Sequence, residues 1–372
     1  MLHLADDRLF DEHRARGHHP ERPERLGAAR RAVERCGEAG RRTNPLPPRD
    51  ATDEELARAH DPAYLAELMK LDGHWTSLDA DTYLSPASVR AARRAAGAAI
   101  SLVDAILASP SDPTGLALLR PPGHHATHRT GMGFCLVNNI AIAAHAALAR
   151  GLQRVAIVDF DVHHGNGTQD IFWRDPRVLF ISLHQWPFYP GSGLAREVGE
   201  GDGKGYTLNV PLSEGATDAV YEAAFDETLV PVLDEYAPEL LLVSAGFDAH
   251  ERDPRSAMRL TAAAYASMTR KLAGVARRSA QGRLGVVLEG GYHLGAIEES
   301  LIATLHAATG LAPTAGAPEA AEASGAAGAA GTAGAAGAAG AATTPAPALI
   351  APRHRSELDR ARHMALKRWS TL

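Results

Sequence analysis

Asp161 and His163 stand one residue apart in the segment Asp159-Phe160-Asp161-Val162-His163-His164, and Asp248 follows a separate apolar run. Two carboxylates and one imidazole make a three-ligand set, and three protein ligands with a position left for water are what a catalytic metal site requires. An Asp-x-His pair taken alone is equally a solvated turn, so the reading needs partners. One is the pair His124-His125, which follows Arg120-Pro121-Pro122-Gly123, a rigid connection suited to fixing two imidazoles side by side. Imidazole exchanges a proton near neutral pH, so one of the two could take a proton from water and return it to a leaving amine. Asp159, two residues ahead of Asp161, could orient His124 by accepting its ring proton. The other partner is Tyr292. Gly290 and Gly291 before it let the backbone pass close to a ligand, and a phenol there could donate to a developing oxyanion. Two capping histidines and a buried structural tyrosine are the plain alternatives.

These residues sit where an α/β sheet would put them. Short apolar runs at 115–119, 155–158, 178–181, 240–243 and 284–288 have the length and composition of strands covered on both faces. Helical stretches at 138–150, 218–236, 261–278 and 294–309 separate most of them, and Ser85-Pro86 reads as the N-cap and first turn of another helix running to Ala108. The alternation predicts a parallel α/β sheet flanked by helices. Ligands of such sheets bind beyond the carboxyl ends of the strands. Four of the runs lead directly into the polar segments that hold His124 and His125, Asp161 and His163, Asp248, and Tyr292.

Composition sets the outer bounds. A chain of 372 residues can bury a full core, and one large domain with additions is expected. With 38 basic and 44 acidic residues, total charge does not announce a nucleic-acid or membrane-surface partner. The first twenty residues are charged and His-rich, and no run of 18 apolar residues occurs, so a cytoplasmic location is expected. Cys36 and Cys135 cannot form a disulfide framework or a thiolate zinc site on their own, which leaves His and carboxylates to hold any metal. The stretch 199–206 fails as a phosphate loop because Gly205 stands where a hydroxyl residue should follow Lys204, and it reads as a mobile loop. Residues 312–348 are Ala, Gly, Thr and Pro, a flexible linker that cannot bury enough apolar surface to order itself. In 349–372, Leu358, Ala361, Ala365, Trp369 and Leu372 recur at helical spacing, which predicts a terminal amphipathic helix docked through Trp369 rather than a nucleic-acid-binding one.

Taken together, the motifs resemble the class II histone deacetylases and their bacterial relatives, within the arginase and deacetylase superfamily. The resemblance runs from about His18 to Leu311, with HPERPERL from His19, DTYLSP from Asp81, RPPGHHA from Arg120, GMGFCLVNN from Gly131, DFDVHHGNGTQ from Asp159, SAGFDAHERDP from Ser244 and EGGY from Glu289. It implies a single-domain arginase/deacetylase-like fold over residues 1–311 and Zn²⁺ held by Asp161, His163 and Asp248, a donor set that also suits Fe²⁺ or Co²⁺. By the same resemblance His125 is the general base and acid, His124 assists, Tyr292 polarises the acetyl carbonyl, and Asn166 is the class II residue behind His125, where class I enzymes carry Asp. A substrate tunnel is implied between Gly133, Phe134, Tyr189 and Gly291, with Arg255 at its mouth. A structural K⁺ is implied at Asp159, Ser182 and the main-chain oxygens of Asp161, His163 and Leu183, and a second near Phe172 and Tyr206. Family members usually have a short apolar strand before the segment that begins at Leu4; with only Met1-Leu2-His3 there, that edge of the sheet is in question.

The implied reaction is hydrolysis of the acetamide of N-acetyl-lysine, in a protein, a peptide or a small acylated amine. An acetylpolyamine amidohydrolase is the alternative, and Arg255 speaks against it by repelling a cationic chain. A ureohydrolase of the same fold would need two manganese ions and further Asp ligands. The intact set of ligands, histidines and tyrosine argues against a non-catalytic acetyl-lysine-binding scaffold. A homo-oligomer is left open by the sequence.

Overall fold

The computed structural model describes residues 1–38, 42–109, 113–310 and 350–372. The expected linker, 312–348, lies outside the described residues. Ten strands form among the described residues: β1 (Leu2–Ala5), β2 (Thr43–Pro45), β3 (Thr76–Ser77), β4 (Tyr83–Leu84), β5 (Thr114–Ala117), β6 (Val155–Asp159), β7 (Val178–Gln185), β8 (Thr207–Leu212), β9 (Leu240–Ala245) and β10 (Leu284–Leu288). Eight make one sheet in the order β2-β1-β5-β10-β9-β6-β7-β8, while β3 and β4 form a small antiparallel pair. Every pairing in the large sheet is parallel. Strands β6, β7, β9 and β10 are buried at every residue, which is why they read as continuous apolar runs instead of alternating ones.

The helices are α1 (Glu24–Glu38), α2 (Asp53–Ala57), α3 (Pro62–Met69), α4 (Ser88–Ala108), α5 (Asn139–Ala149), α6 (Asn166–Phe172), α7 (Asp218–Ala224), α8 (Val230–Tyr236), α9 (Ala262–Ser279), α10 (Leu294–Thr309) and α11 (Pro352–Ala365). Among the described residues none is long and apolar enough to cross a membrane. Three sequence expectations need correction. Helix α4 starts at Ser88, after Ala87, and Ser85 is no N-cap: its hydroxyl donates to the Glu12 carbonyl while its N–H donates to the Ser88 hydroxyl. The stretch 218–236 is not one regular helix, because a π-helical turn at Phe225–Leu229 separates α7 from α8. Pro231 has no N–H to return to the Glu227 carbonyl, and the chain widens there. The sheet edge left in question at the N-terminus is filled: β1 pairs on one side with β2 and on the other with β5.

The segment read as a mobile loop carries a short 3₁₀ turn at Gly201–Gly203, with Gly203 buried. In the terminal helix Leu358, Ala361 and Ala365 are buried, as is Trp369 beyond it. The Trp369 ring meets Tyr206 and Tyr236 edge-on at 5.7 and 6.0 Å. Glu357 accepts from the Ser213 N–H just past β8, so α11 packs beside the strand that ends the sheet.

Candidate metal centre and catalytic cavity

Strand register brings the chemistry together. The neighbours β5, β10, β9 and β6 end side by side, with Asp159 opposite Ser244 and Leu288 opposite Ala245. Their following segments therefore project from one rim of the sheet. Asp161, His163 and Asp248 converge there, buried, with one potential ligand atom from each lying within 4.8 Å of the others. Among the described residues no other group of three His, Cys or carboxylate side chains approaches this closely.

Each ligand is braced. Asp161 Oδ1 accepts from the His163 N–H at 2.9 Å, and its Oδ2 accepts from the Gly290 N–H at 2.8 Å. Asp248 Oδ1 accepts from the Val162 N–H at 2.9 Å, whereas Oδ2 accepts no hydrogen bond. His163 turns Nδ1 toward both carboxylates, 3.1 Å from Asp161 and 3.2 Å from Asp248, and its ring stacks on Phe188. Space is the reason for a glycine at 290: a Cβ there would run into the carboxylate oxygens of both Asp161 and Asp248. Two buried carboxylates and an imidazole nitrogen, with one carboxylate oxygen left unbonded, fit a divalent cation and no neutral occupant.

The two histidines behind this cluster have opposite electrostatics. Burial pushes His124 down, but the charges of Asp159 and Asp161 outweigh it and hold the ring up at about 10. Its Nδ1 lies 2.9 Å from Asp159 Oδ2. Burial, then the neighbouring His124 and His163 rings, push His125 well below the usual imidazole value. The His125 Nδ1 faces Asn166 Oδ1 at 2.8 Å. An amide oxygen only accepts, so the proton sits on Nδ1 and Nε2 keeps a free lone pair. Environment thus raises His124 and lowers His125, which leaves His125 neutral with a free lone pair on Nε2.

A cavity of about 370 Å³ opens from these groups to the surface. Gly133, Phe134, Tyr189, His124, His125, His163, Tyr292 and Arg255 all line it. The second glycine expected there, Gly291, is replaced by its neighbour: Gly290 forms the wall, while the buried Gly291 turns its carbonyl to Arg25, and a Cβ on it would meet Phe247 and Ile297. Gly133 has φ +57°, and a Cβ on it would meet the His125 ring at 2.5 Å, so no larger residue fits. Tyr292 meets Phe134 edge-on at 6.1 Å, and burial pushes its hydroxyl well above the ordinary phenol range, keeping the proton on as a donor. Cys135 is buried, donates weakly to the Gly133 carbonyl, and packs without reaching the cavity wall.

Of the residues for which the resemblance implied potassium, Asp159 and Ser182 are register partners on β6 and β7, and Leu183 is the next residue of β7. Phe172 is buried at the end of α6 against His145, and Tyr206 lies under Trp369. Sequence reading gave no role to Asp81, Pro122, Phe188 or Pro254, all of which line the cavity. It also passed over Glu289, whose buried carboxylate accepts from the Gly123 and His124 N–H groups and ties the histidine turn to β10. Position one residue beyond an apolar run was the signal that could have found Glu289.

Comparison with known proteins gives the same reading. A family model described as a histone deacetylase domain matches residues 19–308. A probable deacetylase of Archaeoglobus fulgidus is 42% identical over 74% of this chain and 76% of its own length. Human polyamine deacetylase HDAC10 is 42% identical over 78% of this chain, which spans 44% of that protein. In three dimensions the crystal structure of an HDA15 HD domain superposes with a TM-score of 0.84 at 34% identity, covering 99% of this chain and 95% of the other. With a matching family model over most of its length and the sheet, ligand cluster and cavity in place, the chain belongs to the histone deacetylase family and is a hydrolytic deacetylase of the arginase and deacetylase superfamily.

Proposed function

We propose that residues 1–311 form a zinc-dependent deacetylase that cleaves the acetamide of N-acetyl-lysine to amine and acetate. The observation that carries this is the pairing, at one cavity floor, of the Asp161, His163 and Asp248 donors with a neutral His125 and a protonated Tyr292. A Zn²⁺ held by those three side chains would supply Lewis-acid polarisation of the acetyl carbonyl and a more acidic water.

The protein's own groups do the rest. Phe134 and Tyr189, which both line the cavity, would flank an extended alkyl chain. His125 Nε2 takes the proton of the attacking water, while Asn166 fixes its tautomer and the His124 ring packs against it at 4.0 Å. Tyr292 donates to the oxygen as it becomes an oxyanion. His125 then returns its proton to the departing amine nitrogen, and the acetyl carbon keeps the hydroxyl from water. Potassium bound at Asp159, Ser182 and the main-chain oxygens of Asp161, His163 and Leu183 would stiffen the ligand turn, with a second ion near Phe172 and Tyr206. The test is turnover of an acetyl-lysine peptide before and after chelation. Loss on chelation and recovery with one equivalent of Zn²⁺ is expected; full activity in metal-free protein would refute the mechanism.

Acetylpolyamines are the second reading, favoured by the likeness to HDAC10. Against it stands Arg255, exposed at the cavity mouth, whose guanidinium pairs with no acidic group among the described residues. An exposed charge contributes only about 0.2–1 kcal/mol, so Arg255→Leu is expected to raise kcat/KM for acetylspermidine relative to acetyl-lysine peptides by a few-fold at most. An unchanged ranking would remove Arg255 from substrate choice.

A further inference from the structure

We infer that Asp253, which neither ligates the metal nor lines the cavity, is a positioning residue that sets turnover by fixing the peptide plane in front of Tyr292. The inference rests on the proposed role of Tyr292 as oxyanion donor. Tyr292 follows Gly290 and Gly291, the least stiff backbone a strand end can have, and Gly291 adopts φ +109°. Nothing intrinsic to that segment would hold the phenol in one place. A misplacement of 1 Å in a reacting group can cost roughly a hundredfold in rate.

The segment is held from outside, at both ends of one peptide group. The carbonyl of Gly291 accepts from Arg25 Nε at 2.5 Å, and the N–H of Tyr292, in the same plane, donates to Asp253 Oδ2 at 2.6 Å. A planar peptide gripped at its oxygen and its hydrogen cannot rotate about the line joining its α-carbons, and that rotation is what would swing the Tyr292 side chain. Both grips are themselves anchored. Asp253 is 4% exposed, and it also accepts from the His293 N–H at 2.9 Å and, through Oδ1, from the Arg255 N–H at 3.0 Å. Arg25 is wholly buried, with its guanidinium 5.1 Å from the Tyr292 ring. Glu21 holds Arg25 at 3.1 Å and shares itself with the buried Arg120, which gives the HPERPERL motif a task that the metal site leaves open.

An ordinary structural role for Asp253 would be to complete the start of α10, since His293 is the N-cap of that helix. The two roles part in a double-mutant cycle, because a residue acting through Tyr292 cannot cost more than the tyrosine hydrogen bond is worth and costs nothing once that bond is gone. The cycle compares kcat of wild type, Asp253→Ala, Tyr292→Phe and the double variant, each zinc-loaded and checked for metal content and melting temperature. Asp253→Ala is expected to lower kcat roughly 10-fold or more, within the 10² to 10³ ceiling of the donor itself, with KM nearly constant. On the Tyr292→Phe background the same substitution is expected to cost less than about threefold. In metal-free protein the Tyr292 and His293 amides should exchange hydrogen faster in Asp253→Ala than in wild type. Should that variant fail to fold, Asp253→Asn, which keeps an acceptor for the Tyr292 N–H, carries the cycle with a smaller loss and the same non-additivity. Losses that multiply across the cycle, or an unchanged kcat, overturn the inference. A silent Tyr292→Phe would instead overturn the role proposed for Tyr292, so the two failures are told apart.

Discussion

The rim of the central strands and the far edge of the sheet solve opposite problems. At the rim, Asp161 and Asp248 are buried with His124, His125 and His163 beside the half-buried Tyr292, and the groups around them are there to aim polar atoms. At the edge, α11 lays an apolar stripe and Trp369 beside β8, joined by ion pairs and main-chain hydrogen bonds such as Arg355 with Glu227 and the Ser370 and Thr371 N–H groups with Glu235. The rim spends stability on geometry, because like charges brought out of water oppose folding until a cation joins them. The edge gains stability from area and asks little of angle. Substitutions should therefore separate cleanly, with function lost and folding kept at the rim and the reverse at the edge.

The largest effect is expected from His125→Ala. It removes the proton acceptor while leaving all three ligands, so kcat should fall by about 10² to 10⁴ with metal content and melting temperature near those of wild type. A parallel loss of metal would recast His125 as a structural support of the cluster. Next, Tyr292→Phe should lower kcat by about 10² to 10³ at unchanged metal occupancy, since one donor to the oxyanion is lost. Equal turnover in the two proteins would make the ring a wall and nothing more. Across the molecule, Trp369→Ala should cost about 3–5 kcal/mol in urea unfolding yet leave kcat per folded molecule as it was. If kcat falls with stability untouched, the division between rim and edge is wrong.

The same division explains what could be read from the sequence. Site residues were legible because each sits directly after a fully apolar run, and the runs of β6, β9 and β10 are unambiguous. Other parts of the sheet carry no such signal: β2 is the tripeptide Thr43-Asn44-Pro45, and β8 holds Asn209 and Pro211 within its six residues. Their strand state comes from parallel pairing with β1 and β7, a tertiary effect that local pattern cannot show. Helix α11 was legible from its stripe alone, whereas its docking partners, Tyr206 and Tyr236, had no signal linking them to Trp369. Asp253 and Arg25 were visible as letters of motifs, but hydrogen bonds to a distant backbone leave no spacing to detect.

The account turns on the claim that Asp161, His163 and Asp248 hold one catalytic ion. Its most direct test is bound metal and turnover measured together on a single preparation of Asp248→Ala. Zinc below about a tenth of an equivalent, with no detectable deacetylation and a folded protein, is the predicted result, because three ligands leave no redundancy. A full equivalent of tightly bound metal with wild-type turnover would contradict it.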